Sequence, residues 1–143
     1  MPATSSETLS AILQANWSSA GTGLVIGDIE WDTSQIDIKK WVENKTSLRN
    51  IITVYCGKNP KTTLLYPGAW RDDDELTIEI LVKGDTFPNL KQTRNRIVDQ
   101  VNAILIANSD STQNFFIKPK RSAASEAYVY ARQVLTVTVS RLL

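Results

Sequence analysis

Four carboxyl side chains in a row, Asp72, Asp73, Asp74 and Glu75, form the densest group in the chain that could do chemistry. Adjacent carboxylates hold Mg²⁺ or Ca²⁺ only when their oxygens converge from several directions, and calcium loops space theirs around a glycine turn. These four stand consecutively between Pro67-Gly68 and a strand-like run. The favoured reading is a solvated hairpin tip whose charge discourages edge pairing, with a weak cation site or an acidic contact surface as the alternative. The opposite charge gathers at Lys118, Lys120 and Arg121, and from Ser111 onward five Lys and Arg face one acid, Glu126. Nucleic-acid readers pair such clusters with exposed aromatics or a recognition helix, so a solvated loop is favoured here over phosphate or protein contact.

Several chemistries lack their residues. Histidine is absent from all 143 positions, which removes His-based triads, imidazole acid–base catalysis and the usual zinc sites. Cys56 is the only cysteine, so there is no internal disulfide framework and no CxxC motif. It follows an apolar run and is expected as a small buried hydrophobe. Gly21-Thr22-Gly23 and Gly27 fit no phosphate-cradling loop, and no Ser-x-x-Lys or Gly-x-Ser-x-Gly motif occurs. No catalytic residue, metal or cofactor is therefore expected, and the chain does not read as an enzyme. Sixteen basic against fifteen acidic residues leave a formal charge of +1, so no global field draws it to nucleic acid or to a membrane. Four tryptophans are many for this length. Trp17 falls on a helix's apolar face, whereas Trp31, Trp41 and Trp70 fall in loop-like or strand-edge stretches, where large amphipathic rings often anchor a protein interface.

The elements that must position these groups follow from periodicity. Thr4 with Glu7 is a capping-box spacing, and Leu9, Ile12 and Leu13 share a face, so residues 5–16 read as a helix. Leu24-Val25-Ile26 is strand-like, residues 35–41 alternate loosely with period two, and Asp28, Asp32 and Ser34 read as loop. Strands follow at 49–56 and 62–66. From Glu75 to Lys83, Leu76, Ile78, Ile80 and Val82 alternate with polar residues, and Gly84-Asp85 closes that strand. Pro88 suits the first turn of a helix whose apolar face is Leu90, Ile97, Val101, Ile104 and Leu105, with Lys91, Arg94, Asn95, Asp99 and Asn102 on the other side. Residues 114–118 form a short strand ending at Pro119. Residues 127–141 form a long one with Val129, Ala131, Leu135, Val137 and Val139 toward the core and Tyr128, Tyr130 and Arg132 away from it. Its length exceeds the usual strand, which makes it available to pair with a neighbour. The sum is one α+β domain over residues 1–143, an antiparallel sheet with an N-terminal helix and one long central helix packed on it, in the order helix, strands, helix, two strands. The opening residues have neither a basic start nor an apolar stretch, and no stretch approaches a membrane span, so a cytoplasmic site of synthesis is expected.

This order of elements resembles the tail-terminator, or tail-completion, proteins of long-tailed phages and related viruses. The resemblance is carried by residues 75–83, ELTIEILVK, running into residues 89–105, NLKQTRNRIVDQVNAIL, and by the terminal strand from Tyr128 to Leu143. It implies a virion protein that closes into a hexameric ring, caps the tail tube, joins it to the neck, and lets double-stranded DNA pass without sequence-specific binding. Its partners would be copies of itself, the tail-tube protein and a neck or connector protein, with no membrane. On that reading Trp31, Trp41, Trp70, Tyr128, Tyr130 and Arg132 are candidates for the subunit interface. Asp72 to Glu75 are candidates for the lumen or an acidic contact, and Lys118, Lys120 and Arg121 for a basic contact. Other head-tail connector or stopper proteins share this size and style. A monomeric protein-binding adaptor and a DNA-binding domain using the C-terminal basic region are the alternatives from other classes.

Overall fold

A computed structural model describes residues 4–44, 48–56, 61–66, 69–84, 87–109, 115–127 and 129–142, with side chains for all of these except 61–66, 69–72, 87–88, 115, 126–127 and 141–142. The elements in chain order are α1 (Ser5–Ala15), β1 (Ile29–Asp32), α2 (Ile38–Glu43), β2 (Asn50–Cys56), β3 (Lys61–Tyr66), β4 (Ala69–Lys83), α3 (Phe87–Ala107), β5 (Phe115–Ala127) and β6 (Tyr130–Leu142). The strands form one sheet in the order β1-β2-β4-β6-β5, with β3 also paired to β4. The fold class is thus the α+β domain expected, with one departure: β1 pairs with β2 in parallel, joined through α2. A parallel pair needs such a crossover connection.

Alternation along β4 organises both faces. Leu76, Ile78, Ile80 and Val82 point to the side where α1 and α3 pack, together with Ile52, Val54, Leu135, Val137 and Val139. Helix α1 brings Leu9 and Leu13 to this core, and α3 brings Leu90, Ile97, Val101, Ile104 and Leu105. Thr4 caps α1 as its spacing implied: the Glu7 N–H donates to Thr4 Oγ1 at 3.1 Å. On the opposite face a smaller cluster of Trp41, Ile51 and Leu81 gathers Ile36, Ile38, Val42 and Tyr130 under α2. At the turn from β4 to α3, Gly84 leaves room for Leu90, whose Cδ2 would lie 3.1 Å from an added Cβ.

Several expectations are corrected. Residues 24–26 are not a strand; a single 3-10 turn, Ile26–Asp28, leads into β1 instead. Residues 35–41 contain the start of α2 rather than an alternating strand, because Asp37 caps Lys40 N–H through its side chain and Ile38, Trp41 and Val42 stand at helical spacing. Strand β4 begins at Ala69, six residues before Glu75. Strand β5 runs through Pro119 to Ala127 by means of an irregularity between Pro119 and Arg121, as suits proline on an edge strand. Strand β6 starts at Tyr130, and Val129 is exposed rather than core. It is not open to a neighbour, since β4 and β5 pair with it along its length. Cys56 is exposed, not buried. Arg94 lies on the core side of α3 because it falls four residues after Leu90 and three before Ile97, and it is buried.

Leu9 is fully buried where α1 meets the sheet and α3. Leu9→Ala is expected to cost about 2–5 kcal/mol in denaturant titration, with an unchanged slope, through the lost contacts and the cavity left behind.

Candidate functional site

The sheet face turned away from α1 and α3 carries nearly all the polar chemistry. The α2 end of that face is covered. Thr53 Oγ1 donates to the Ser34 carbonyl, which holds the β1–α2 loop over β2. Lys83 Nζ donates to the carbonyl of Trp41 and to that of Asn44 at 2.8 Å, and lies 4.9 Å from the centre of the Trp41 ring. One ammonium thereby meets the carbonyl end of α2 and an aromatic face together, both favourable for a cation. Burial pushes the Lys83 ammonium below its ordinary value, with the Glu30 carboxylate pulling the other way.

Beyond α2 the open face holds two charge groups. Glu79 is 1% exposed, and it accepts from Arg132 Nε at 2.7 Å and from the Tyr55 hydroxyl at 3.1 Å. These three come from adjacent strands β2, β4 and β6, where Thr53 and Val134 stand beside Glu79. Burial raises the Tyr55 hydroxyl above its ordinary value of 10.0, and the Glu79 charge and hydrogen bond add to that, offset in part by Arg132. A phenol held protonated beside an occupied carboxylate serves as a hydrogen-bond donor, not as a base. Glu75 forms the second group, 2.7 Å from Lys120 Nζ and 3.7 Å from Arg121 Nη2.

The residues singled out in the sequence are distributed as follows. Asp72 to Glu75 are not a hairpin tip; they lie inside β4, with Asp73 opposite Lys61 on one side and Ser140 on the other. Asp73 Oδ1 accepts from Ser140 Oγ at 2.7 Å. Asp74 points to the helix-covered face, is buried, and has no hydrogen-bond partner for Oδ1 among the described residues. Lys118, Lys120 and Arg121 lie on strand β5 rather than in a loop, and the sheet brings the last two onto Glu75, so these acidic and basic groups meet within one chain. Trp31 is not an outlying ring: it packs against the main core, with its centroid 5.5 Å from that of Trp17 in an edge-to-face pair. Trp41 is buried under α2. Tyr130 packs against the Trp41 cluster and Arg132 is engaged by Glu79. The side chains of Trp70 and Asp72, and all of Tyr128, lie outside the described residues. Sequence reasoning missed Tyr55, Glu79 and Lys83. Each is one polar residue in an alternating strand, and only strand registry shows what it meets.

Among the described residues no group of three or more His, Cys, Asp and Glu side chains is placed to hold a metal ion, and no helix is long and apolar enough to cross a membrane. A groove of about 250 Å³ opens where the start of β2, the end of β4 and the first turns of α3 converge, lined in part by Arg49, Asn50, Asn89 and Thr93. No protein-family model matches the sequence, and no curated protein aligns with it significantly.

Two measurements test the Glu79 network. Arg132→Ala leaves a buried carboxylate with only Tyr55, and is expected to cost about 2–4 kcal/mol, discounted because Arg132 is one-third exposed. Glu79→Gln keeps a partner for Tyr55 and frees an Arg132 that can turn to water, so it should cost less, about 1–2 kcal/mol. An equal or reversed order in denaturant titration would refute this account. A hydroxyl whose folded value is raised contributes stability below its ordinary value and loses it as pH climbs through the raised one. Wild type should therefore lose stability above pH 10 more steeply than Tyr55→Phe.

Proposed function

We propose that this chain is a structural virion protein whose copies form a ring that terminates the tail tube and joins it to the head-tail neck, passing DNA through its lumen. The observation that carries the reading is the order of elements: an N-terminal helix, short strands β1 to β3 with α2 among them, a long strand running within a few residues into a long helix, and two closing strands. The near-balanced charge is compatible with DNA sliding through without adhering. The ion pair of Lys120 with Glu75 counts against the DNA-binding alternative, because it opposes one cation of the basic cluster within the chain.

Negative-stain electron microscopy of the concentrated protein, with native mass spectrometry of the same sample, tests the proposal. Closed hexameric rings with an open centre are the expected result. A chain that stays monomeric both alone and when mixed with tail tubes lacking their end ring would overturn it.

A further inference from the structure

The path β1-β2-β4-β6-β5 ends in β1 and β5, and β3, paired to β4, gives the sheet a further outer strand. The two end strands carry opposite charge. The stretch from Asp28 to Asp32 holds three carboxylates and no cation, while that from Phe116 to Arg121 holds three cations and no carboxylate. The charges also share a face. Through the pairing registers, Glu30 aligns with Ile51, Leu81 and Arg132, and Asp32 with Thr53, Glu79 and Val134. Lys118 aligns with Thr138 and Glu75, and Arg121 with Thr136 and Thr77. All four positions therefore lie on the face turned away from α1 and α3.

Spacing matches as well. Glu30 and Asp32 stand two positions apart on one strand. Lys118 and Arg121 are three apart in sequence, but the irregularity after Pro119 sets them opposite Thr138 and Thr136, again two positions apart. Strand directions fit too: β1 runs parallel to β2, and each of the next three neighbours reverses, so β5 runs opposite to β1. If one copy followed another edge to edge with the same face outward, β5 and the next β1 would meet antiparallel.

We infer that the acidic β1 edge of one copy pairs with the basic β5 edge of the next, with Glu30 beside Arg121 and Asp32 beside Lys118. The partner is a second copy of this chain, chosen by charge complementarity and matched spacing. The contact is heterologous, one patch meeting a different patch, which is the type that closes into rings or runs on as filaments. Within one copy Glu30 lies in the row of Arg132 and Ser125, whereas Arg121 lies in that of Thr136, so neighbouring copies are offset by four rows. That is ~14 Å across a sheet ~24 Å wide, a strand tilt of about 30°, comparable to the shear that closed sheets adopt. Pro119 offers no N–H and the Ile117 N–H already donates to the Ser109 carbonyl at 3.1 Å, so the edge has two donors fewer and side-chain charge does more to set register, which makes assembly salt-sensitive. Lys120 holds Glu75 at 2.7 Å, whereas Arg121 is more exposed and stands 3.7 Å from that carboxylate, which leaves Arg121 able to face the next copy.

This inference deepens the ring reading and rests on it for the identity of the assembly. The test uses the full chain carrying Glu30→Lys, Arg121→Glu, or both, followed by sedimentation velocity at low salt, with circular dichroism to verify folding. Each single reversal is expected to weaken self-association about ten-fold or more, because like charges then face each other across the edge. The double variant should recover it, and so should an equal mixture of the two singles, since each supplies the edge the other lacks. Wild-type rings that survive both reversals overturn the edge contact and leave the ring reading intact. Charge-dependent open filaments support the edge contact and overturn the closed ring. A wild-type chain that stays monomeric overturns the edge contact, and mixing with tube ends then decides the ring reading separately.

Discussion

Strand β4 must have a hydrogen-bonding partner on both edges across fifteen residues, and the rest of the molecule is arranged to supply them. Along one edge β6 pairs from Arg71 to Lys83. Along the other, β2 pairs with residues 76–82 and β3 with residues 69–73, the two acting as one interrupted strand. The charged run Asp72 to Glu75 is carried into the sheet by this requirement, although its composition favours a turn. From Asp73 onward its side chains alternate between faces. Asp73 and Glu75 find Ser140, Lys120 and Arg121 on the open face, and Asp74 is taken into the covered one.

The sheet's two faces do different work. The face under α1 and α3 buries a continuous apolar layer, and hydrophobic burial there supplies the main driving force for folding. The other face is polar except beneath α2. There, Glu79 with Tyr55 and Arg132 ties three adjacent strands through one buried carboxylate. Such a network contributes less net stability than apolar packing of the same volume. Its effect falls on registry, because a slip of one residue would turn Glu79 toward the core. Lys83 performs a similar tie between β4 and α2, meeting carbonyl groups that a short helix leaves open.

For function, these internal ties redirect attention from the residues most conspicuous in the sequence. Trp31 and Trp41 are committed to packing, and Arg132 to Glu79. Among what the fold leaves at its margins are two sheet edges of opposite charge, one ending in exposed Phe116 and the other preceded by exposed Val25 and Ile26. Unpaired edges invite pairing, and opposite charge selects which edge meets which. The proposed self-assembly would use these margins, whereas the covered core and the occupied carboxylates provide rigidity.

The sequence by itself determined the features that depend on near neighbours in the chain. Thr4 and Glu7 mark the start of α1, the alternation from Leu76 to Val82 marks the central strand, and the spacing from Leu90 to Leu105 marks the long helix. These suffice for the α+β class, because a period of two or of 3.6 residues is itself the statement of which face is buried. Tertiary structure decided what depends on distant partners. Residues 69–74 are a strand because β3 and β6 offer them hydrogen bonds, and β5 continues past Pro119 because it lies at an edge. Residues 38–43 are a helix tied down by Lys83, some forty positions away. Likewise Glu79 and Arg132 are separated by 53 residues, and only pairing of β4 with β6 makes them neighbours. The opposite charges of the two edges are visible in the sequence, but that they are edges at all is a property of strand order, which only the assembled sheet defines.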